Sequence, residues 1–164
     1  MTITAQQVRE HLRYNWIYMG GTTRTNGQVN KTGEVFTPST LAQEMIEQYP
    51  DEFIRELVFR DTSCGDGQLL AEVVIRKVEL GVPFEQALTQ IKGCDIMAVN
   101  VELCRKRLGC NRPEYMEILH KRIVIGNSLD CLADVDSQTE QDKLQMIEMF
   151  GGDFESLMEK AQAK

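Results

Sequence analysis

The apolar positions along the chain change period twice. Val8, Leu12 and Trp16 recur at helical spacing behind Thr4 and Gln7, which fit a capping box, and predict a helix over about 4–19 that Gly20–Gly21 ends. The polar stretch over 22–34 has no hydrophobic period and reads as a loop. Thr37–Pro38 then reads as an N-cap with proline in the first helical turn, followed by the stripe Leu41, Met45, Ile46 and Tyr49 up to Pro50. From Leu57 the pattern becomes short apolar runs. Residues 57–61 read as a buried strand, 62–67 as a tight turn and 68–80 as a helix closed by Gly81. A short helix over 83–90 leads to a strand over 91–96 and a helix over about 98–108, and a short helix after Pro113 leads to a strand over 122–125. This alternation predicts parallel strands joined by crossover helices, an α/β fold with the first strand central and helices on both faces. Beyond about 134 the chain reads as helical, with Leu144, Ile147, Met149 and Phe150 as apolar anchors.

Composition changes the picture little and charge changes it more. With 164 residues, 42% hydrophobic and 26% charged, the chain is an ordinary globular sequence. It contains neither an apolar run that would span a bilayer nor a secretory leader pattern, so the expected location is the cytoplasm. Five cysteines without a C-x-x-C pair, and two histidines, favour reduced buried thiols over a disulfide framework or a zinc site. The net charge is −7, of which −5 sits in residues 134–164, so the tail repels a phosphate backbone while the first four-fifths of the chain is nearly neutral. Within that part, Arg105–Lys106–Arg107 reads as a solvated helix face, and Arg24 and Lys31 fall in the polar loop.

The most informative stretch is Asp61-Thr-Ser-Cys64-Gly65-Asp-Gly67-Gln-Leu-Leu70, at the carboxyl end of the first strand, where ligands bind in open α/β sheets. No Gly-Lys-Ser/Thr follows, which excludes a P-loop, and Leu70 stands where the dinucleotide fingerprint wants glycine or alanine. The second strand ends in Asp95, where a carboxylate can accept ribose hydroxyls or simply cap the following helix.

Asp61-x-x-Cys64-Gly65-x-Gly67-x-x-Leu70 resembles motif I of the S-adenosylmethionine-dependent DNA methyltransferases, above all the adenine-N6 enzymes and type I modification subunits. Gly33-Glu34-Val35-Phe36-Thr37-Pro38 resembles their motif X, Gly93-Cys94-Asp95-Ile96 their motif II, and Ile125-Gly126-Asn127-Ser128-Leu129 their motif III region. The order is the family's, across about residues 30–130. The resemblance implies a partial Rossmann-like class I methyltransferase fold in three parts: a helical segment with motif X over 1–50, an S-adenosyl-L-methionine-binding α/β core over 51–133, and an acidic helical tail over 134–164. It implies that Phe36, Thr37 and Pro38 line the methionine end of the cofactor, and that Asp61 with Cys64, Gly65 and Gly67 holds its amino-acid portion. Asp95 accepts the ribose hydroxyls, Ile96 packs on the adenine, and Asn127, where the family often has aspartate, accepts from the adenine amino group.

One motif is missing. The family's Asn/Asp-Pro-Pro-Tyr/Phe holds the target amine and stacks on the flipped base, but Pro38, Pro50, Pro83 and Pro113 are the only prolines and none follows motif III. The expectation is therefore a donor-binding half that is inactive alone and acts through a protein partner or self-association, with weak DNA affinity. The alternative is a non-catalytic regulator or decoy of DNA modification and restriction machinery that keeps the fold as a protein-binding module.

Overall fold

The structure, a computed structural model, describes residues 3–14 and 37–127. Expectations for Trp16, the 22–34 loop with Arg24 and Lys31, Phe36, and the tail beyond 127 lie outside the described residues. No helix among the described residues is long and apolar enough to cross a membrane.

Helix α1 (Ala5–Arg9) begins with the capping box: Thr4 Oγ accepts from the Gln7 amide at 3.2 Å, and Gln7 Oε1 accepts from the Thr4 amide at 3.0 Å. The chain winds on as a π-helical turn over Glu10–Tyr14. Helix α2 (Ser39–Glu47) starts one residue later than the sequence suggests, because Pro38, not Thr37, is the N-cap. Its apolar stripe also divides. Ala42 and Ile46 are buried, whereas Leu41, Met45 and Tyr49 stay exposed. Tyr49 packs edge-on against Phe59, with ring centroids 5.6 Å apart. Helix α3 (Asp51–Glu56) was hidden in the sequence, its six residues too few to show a period; Pro50 caps it.

The remaining elements follow the predicted alternation: β1 (Phe59–Asp61), α4 (Gln68–Glu79), α5 (Phe84–Thr89), β2 (Ile91–Asp95), α6 (Ala98–Leu108), a 3-10 turn at Pro113–Tyr115, α7 (Met116–Arg122) and β3 (Ile123–Ile125). The strands form a parallel sheet in the order β1-β2-β3, with Phe59 opposite Ile91 and Gly93 opposite Ile123. The first strand is thus an edge strand among the described residues and β2 is central, which corrects the expectation of a central first strand. β1 pairs on one side with the strand that follows it, and no described strand lies on its other side.

The core lies on one face of the sheet. Ile91 and Ile123 belong to it, with Phe59 packed against it, and α4 supplies Leu70, Ala71, Val73, Val74 and Ile75. Full burial of each such Val, Leu or Ile side chain contributes roughly 1.5–3 kcal/mol. Helices on both faces were expected; among the described residues the core occupies one. Gly93 explains itself by close approach: a Cβ there would stand 2.9 Å from Cδ1 of both Leu70 and Ile123.

Candidate functional site

At the carboxyl end of β1 the chain turns sharply through Thr62–Gly67. Gly65 and Gly67 have φ of +52° and +84°, a region that glycine enters without strain. The turn closes on itself by the Gly67 amide donating to the Cys64 carbonyl at 2.7 Å, and it is stitched to β2 by the Cys64 amide donating to the Cys94 carbonyl at 2.9 Å. Gly67 is also pressed on Cys104 of α6: a Cβ would lie 2.6 Å from the buried Cys104 Sγ.

Asp95 holds the other side of the turn. Its Oδ2 accepts from the Gly65 amide at 3.0 Å, and its Oδ1 accepts from the Met97 amide at 2.8 Å and Asn100 Nδ2 at 3.2 Å. Asp95 therefore clamps the glycine turn and fixes the Met97 link that leads into α6, whose N-cap is Met97. A carboxylate offers about four acceptor positions, so after these three bonds it keeps one for a further donor.

Asp61 stands beside it at the end of β1. Its Oδ1 accepts from the Ser63 amide at 3.1 Å, an Asx-type turn. Burial pushes the Asp61 carboxyl above the usual carboxylate range; the Ser63 amide opposes this and the nearby Asp95 charge adds to it. Two carboxylates thus converge at the strand ends, a setting that favours a cationic ligand.

The apolar side of the site is open. Ile96 is 71% exposed and Ile125 56%, both at the carboxyl ends of adjacent strands. Asn127 is exposed, held near β2 by the Gly126 amide donating to the Asp95 carbonyl at 3.0 Å. Asp61, Cys64, Gly65, Gly67, Asp95, Ile96 and Asn127 therefore share one end of the sheet. Cys64 is buried, its Sγ facing the space a Gly93 side chain would fill, so it packs the turn from below. Among the described residues, Pro38 is bonded within its own helix. Pro38 accepts from the Ala42 amide as the cap of α2; beyond the other end of that helix Tyr49 packs on Phe59, and Asp51 at the start of α3 pairs with Arg76 at 2.7 Å.

Sequence reasoning missed the support beneath the turn. Arg107, 2% exposed, pairs with Asp66 at 3.3 Å and donates to the Leu12 carbonyl and Gln68 Oε1, both at 2.9 Å. It ties the turn, α4 and the N-terminal helix together. Arg105 donates to the Ile123 carbonyl at 2.9 and 2.6 Å and pairs with Glu102. The basic run is thus not a solvated face: only Lys106 is exposed. Spacing on one helix cannot reveal this, because the partners come from three other segments. The four cysteines among the described residues are unbridged and buried.

Compared with protein-family models, curated proteins and solved structures, the chain matches none.

Proposed function

We propose that the chain is the donor-binding half of a DNA adenine-N6 methyltransferase-like fold, a partial Rossmann-like class I domain that binds S-adenosyl-L-methionine, is inactive alone and acts through a partner. The observation that carries this is the convergence, at one end of a parallel sheet, of a glycine turn, two carboxylates and an exposed isoleucine. The residues fit the cofactor. Asp61 at the end of β1 is a partly buried carboxylate beside a second one, a partner suited to an amino or sulfonium group. Asp95 has one acceptor position left for a ribose hydroxyl, and Ile96 presents apolar surface to an adenine ring. Bound there, the cofactor would supply an electrophilic methyl group. The chain's own part is to hold and orient the donor; no Pro-Pro-aromatic segment is present to position an extruded base.

Calorimetry with S-adenosylmethionine and its demethylated product tests the reading. Ile96→Ala is the informative variant, because an exposed side chain contributes little to stability. Binding weakened severalfold at unchanged melting temperature is the expected result. Absence of heat with either ligand at millimolar concentration would overturn it. Labelled methyl transfer to unmodified DNA by the chain alone would overturn the claim of inactivity.

A second reading is favoured by one observation, the three internal donors already on Asp95. In it the turn is purely structural, and the domain serves as a non-catalytic, protein-binding regulator or decoy of modification machinery. The same calorimetry separates the two.

A further inference from the structure

Away from the glycine turn, the N-terminal helical segment, α2 and α4 enclose a cleft of about 250 Å³. That is below the roughly 300–1,000 Å³ of a drug-sized site, so its occupant is small. Ile46 of α2 and Ile75 of α4 form the apolar part, and both belong to the core. The charged part has Arg9, Arg13 and Arg76 against Glu47, Glu72 and Glu79, three of each sign.

Internal pairing leaves capacity of both signs. Glu72 is 3% exposed and accepts only from Arg13, Nε to Oε1 at 3.3 Å and Nη2 to Oε2 at 2.5 Å. A carboxylate has about four acceptor positions, so two stay open on a side chain that water scarcely reaches. Glu47, exposed at the end of α2, has no hydrogen bond or ion pair among the described residues. Of the donors, Arg9 spends Nε and Nη2 on Glu79 and keeps Nη1. Arg76 spends Nη2 on Asp51 at 2.7 Å, and its Nη1 stands 3.6 Å from Glu79, beyond hydrogen-bond reach.

A cation alone would meet three guanidinium groups, and an anion alone three carboxylates. A molecule carrying both charges finds a partner for each. We propose that this cleft binds a free α-amino acid with a short aliphatic side chain. Its ammonium donates to Glu47 and Glu72, its carboxylate accepts from Arg9 and Arg76, and its side chain lies on Ile46 and Ile75. The cleft shares no residue with the glycine turn and stands whether or not that turn holds a cofactor.

An NMR titration of the isotopically labelled full chain with L-valine, L-valinamide and N-acetyl-L-valine tests this. Valine keeps both charges, the amide only the ammonium and the acetyl derivative only the carboxylate. The expected result is saturable binding of valine, with shifts at the amides of Arg9, Glu47 and Glu79. Either derivative should bind about tenfold more weakly or worse, the factor for losing a hydrogen bond to a charged group. Glu47→Gln, at an exposed position, is expected to weaken valine about tenfold at unchanged melting temperature. No binding at millimolar valine, equal binding of all three or tighter binding of either derivative overturns the proposal. So do shifts centred on Gly65 and Gly67, which would put the amino acid at the turn, and unchanged affinity in Glu47→Gln.

Discussion

The Asp95 carboxylate and the Gly65 amide meet at 3.0 Å across thirty residues of sequence, so one bond joins the end of β2 to the turn that leaves β1. The contact makes the acidic residue structural before it is anything else. Asp95→Ala strands the Gly65 and Met97 amides and removes one partner of the Asn100 amide group. The expected loss is about 2–4 kcal/mol in urea unfolding, in line with leaving two half-buried donors unpaired. Ligand affinity measured on this variant reports the clamp as much as the ribose contact, which is why Ile96 is the cleaner probe.

A second prediction concerns Gly67 and Cys104. Gly67→Ala places a methyl group 2.6 Å from a fully buried sulfur and forces alanine to φ +84°. Steric overlap and backbone strain add, and a loss of about 2–4 kcal/mol is expected. Adding Cys104→Ala should relieve the overlap but not the strain, so the double variant recovers part of the loss relative to Cys104→Ala alone. Full additivity of the two changes in denaturant unfolding would contradict the packing described.

The third rests on Lys77, which is fully buried on α4. Its Nζ donates to the Leu57 carbonyl at 2.8 Å, to Gln90 Oε1 at 3.0 Å and to the Ile54 carbonyl, and lies 5.5 Å from the Phe59 ring centroid. Burial pushes its pKa down to about 8, with Glu56 opposing. The folded value lies below the unfolded 10.5, so in that window the unfolded chain holds a proton that the native state has lost. Stability from this group therefore rises as pH goes from about 8 to 10.5, by up to about 1.4 kcal/mol per pH unit. Urea unfolding of wild type and Lys77→Met across this range should diverge in favour of wild type. Parallel curves would refute the assignment.

What was legible in the sequence divides along physical lines. The elements from β1 to β3 were readable because the strands are short apolar runs and glycine or proline marks most of the helix ends, and α6 appears with the predicted bounds of 98–108. The glycine turn and the acid ending β2 were readable because their chemistry is local. Sheet order was not, since the alternation of strands and helices fixes parallel pairing but not which strand is at the edge. Nor was Arg107, whose meaning comes from Asp66, Gln68 and Leu12, up to 95 residues away. The sequence also hid the double use of Asp95: a strand-end aspartate reads as ligand-binding or as helix-capping, and here its three protein bonds tie the glycine turn to the Met97 link into α6, with one acceptor position remaining.

The last prediction tests whether the strand-end carboxylates are kept for a ligand. Asp61 carries a raised pKa caused first by burial, and Asp95 adds to it. For an acid whose folded value exceeds the unfolded one, the native state keeps a proton that the unfolded chain has released. Its contribution to stability is thus present at low pH and lost as pH rises through the raised value. At neutral pH the charged Asp61 is a liability to the fold. Asp61→Asn keeps an oxygen to accept the Ser63 amide and removes the charge. It should unfold at higher urea than wild type at pH 7, with the gap closing as pH falls toward 4. The same variant should bind S-adenosylmethionine more weakly, since the positive charge loses its partner. Stabilisation together with weakened binding is the trade-off that a carboxylate retained for a cation predicts. A variant less stable at pH 7 would instead mark Asp61 as a structural residue of the turn.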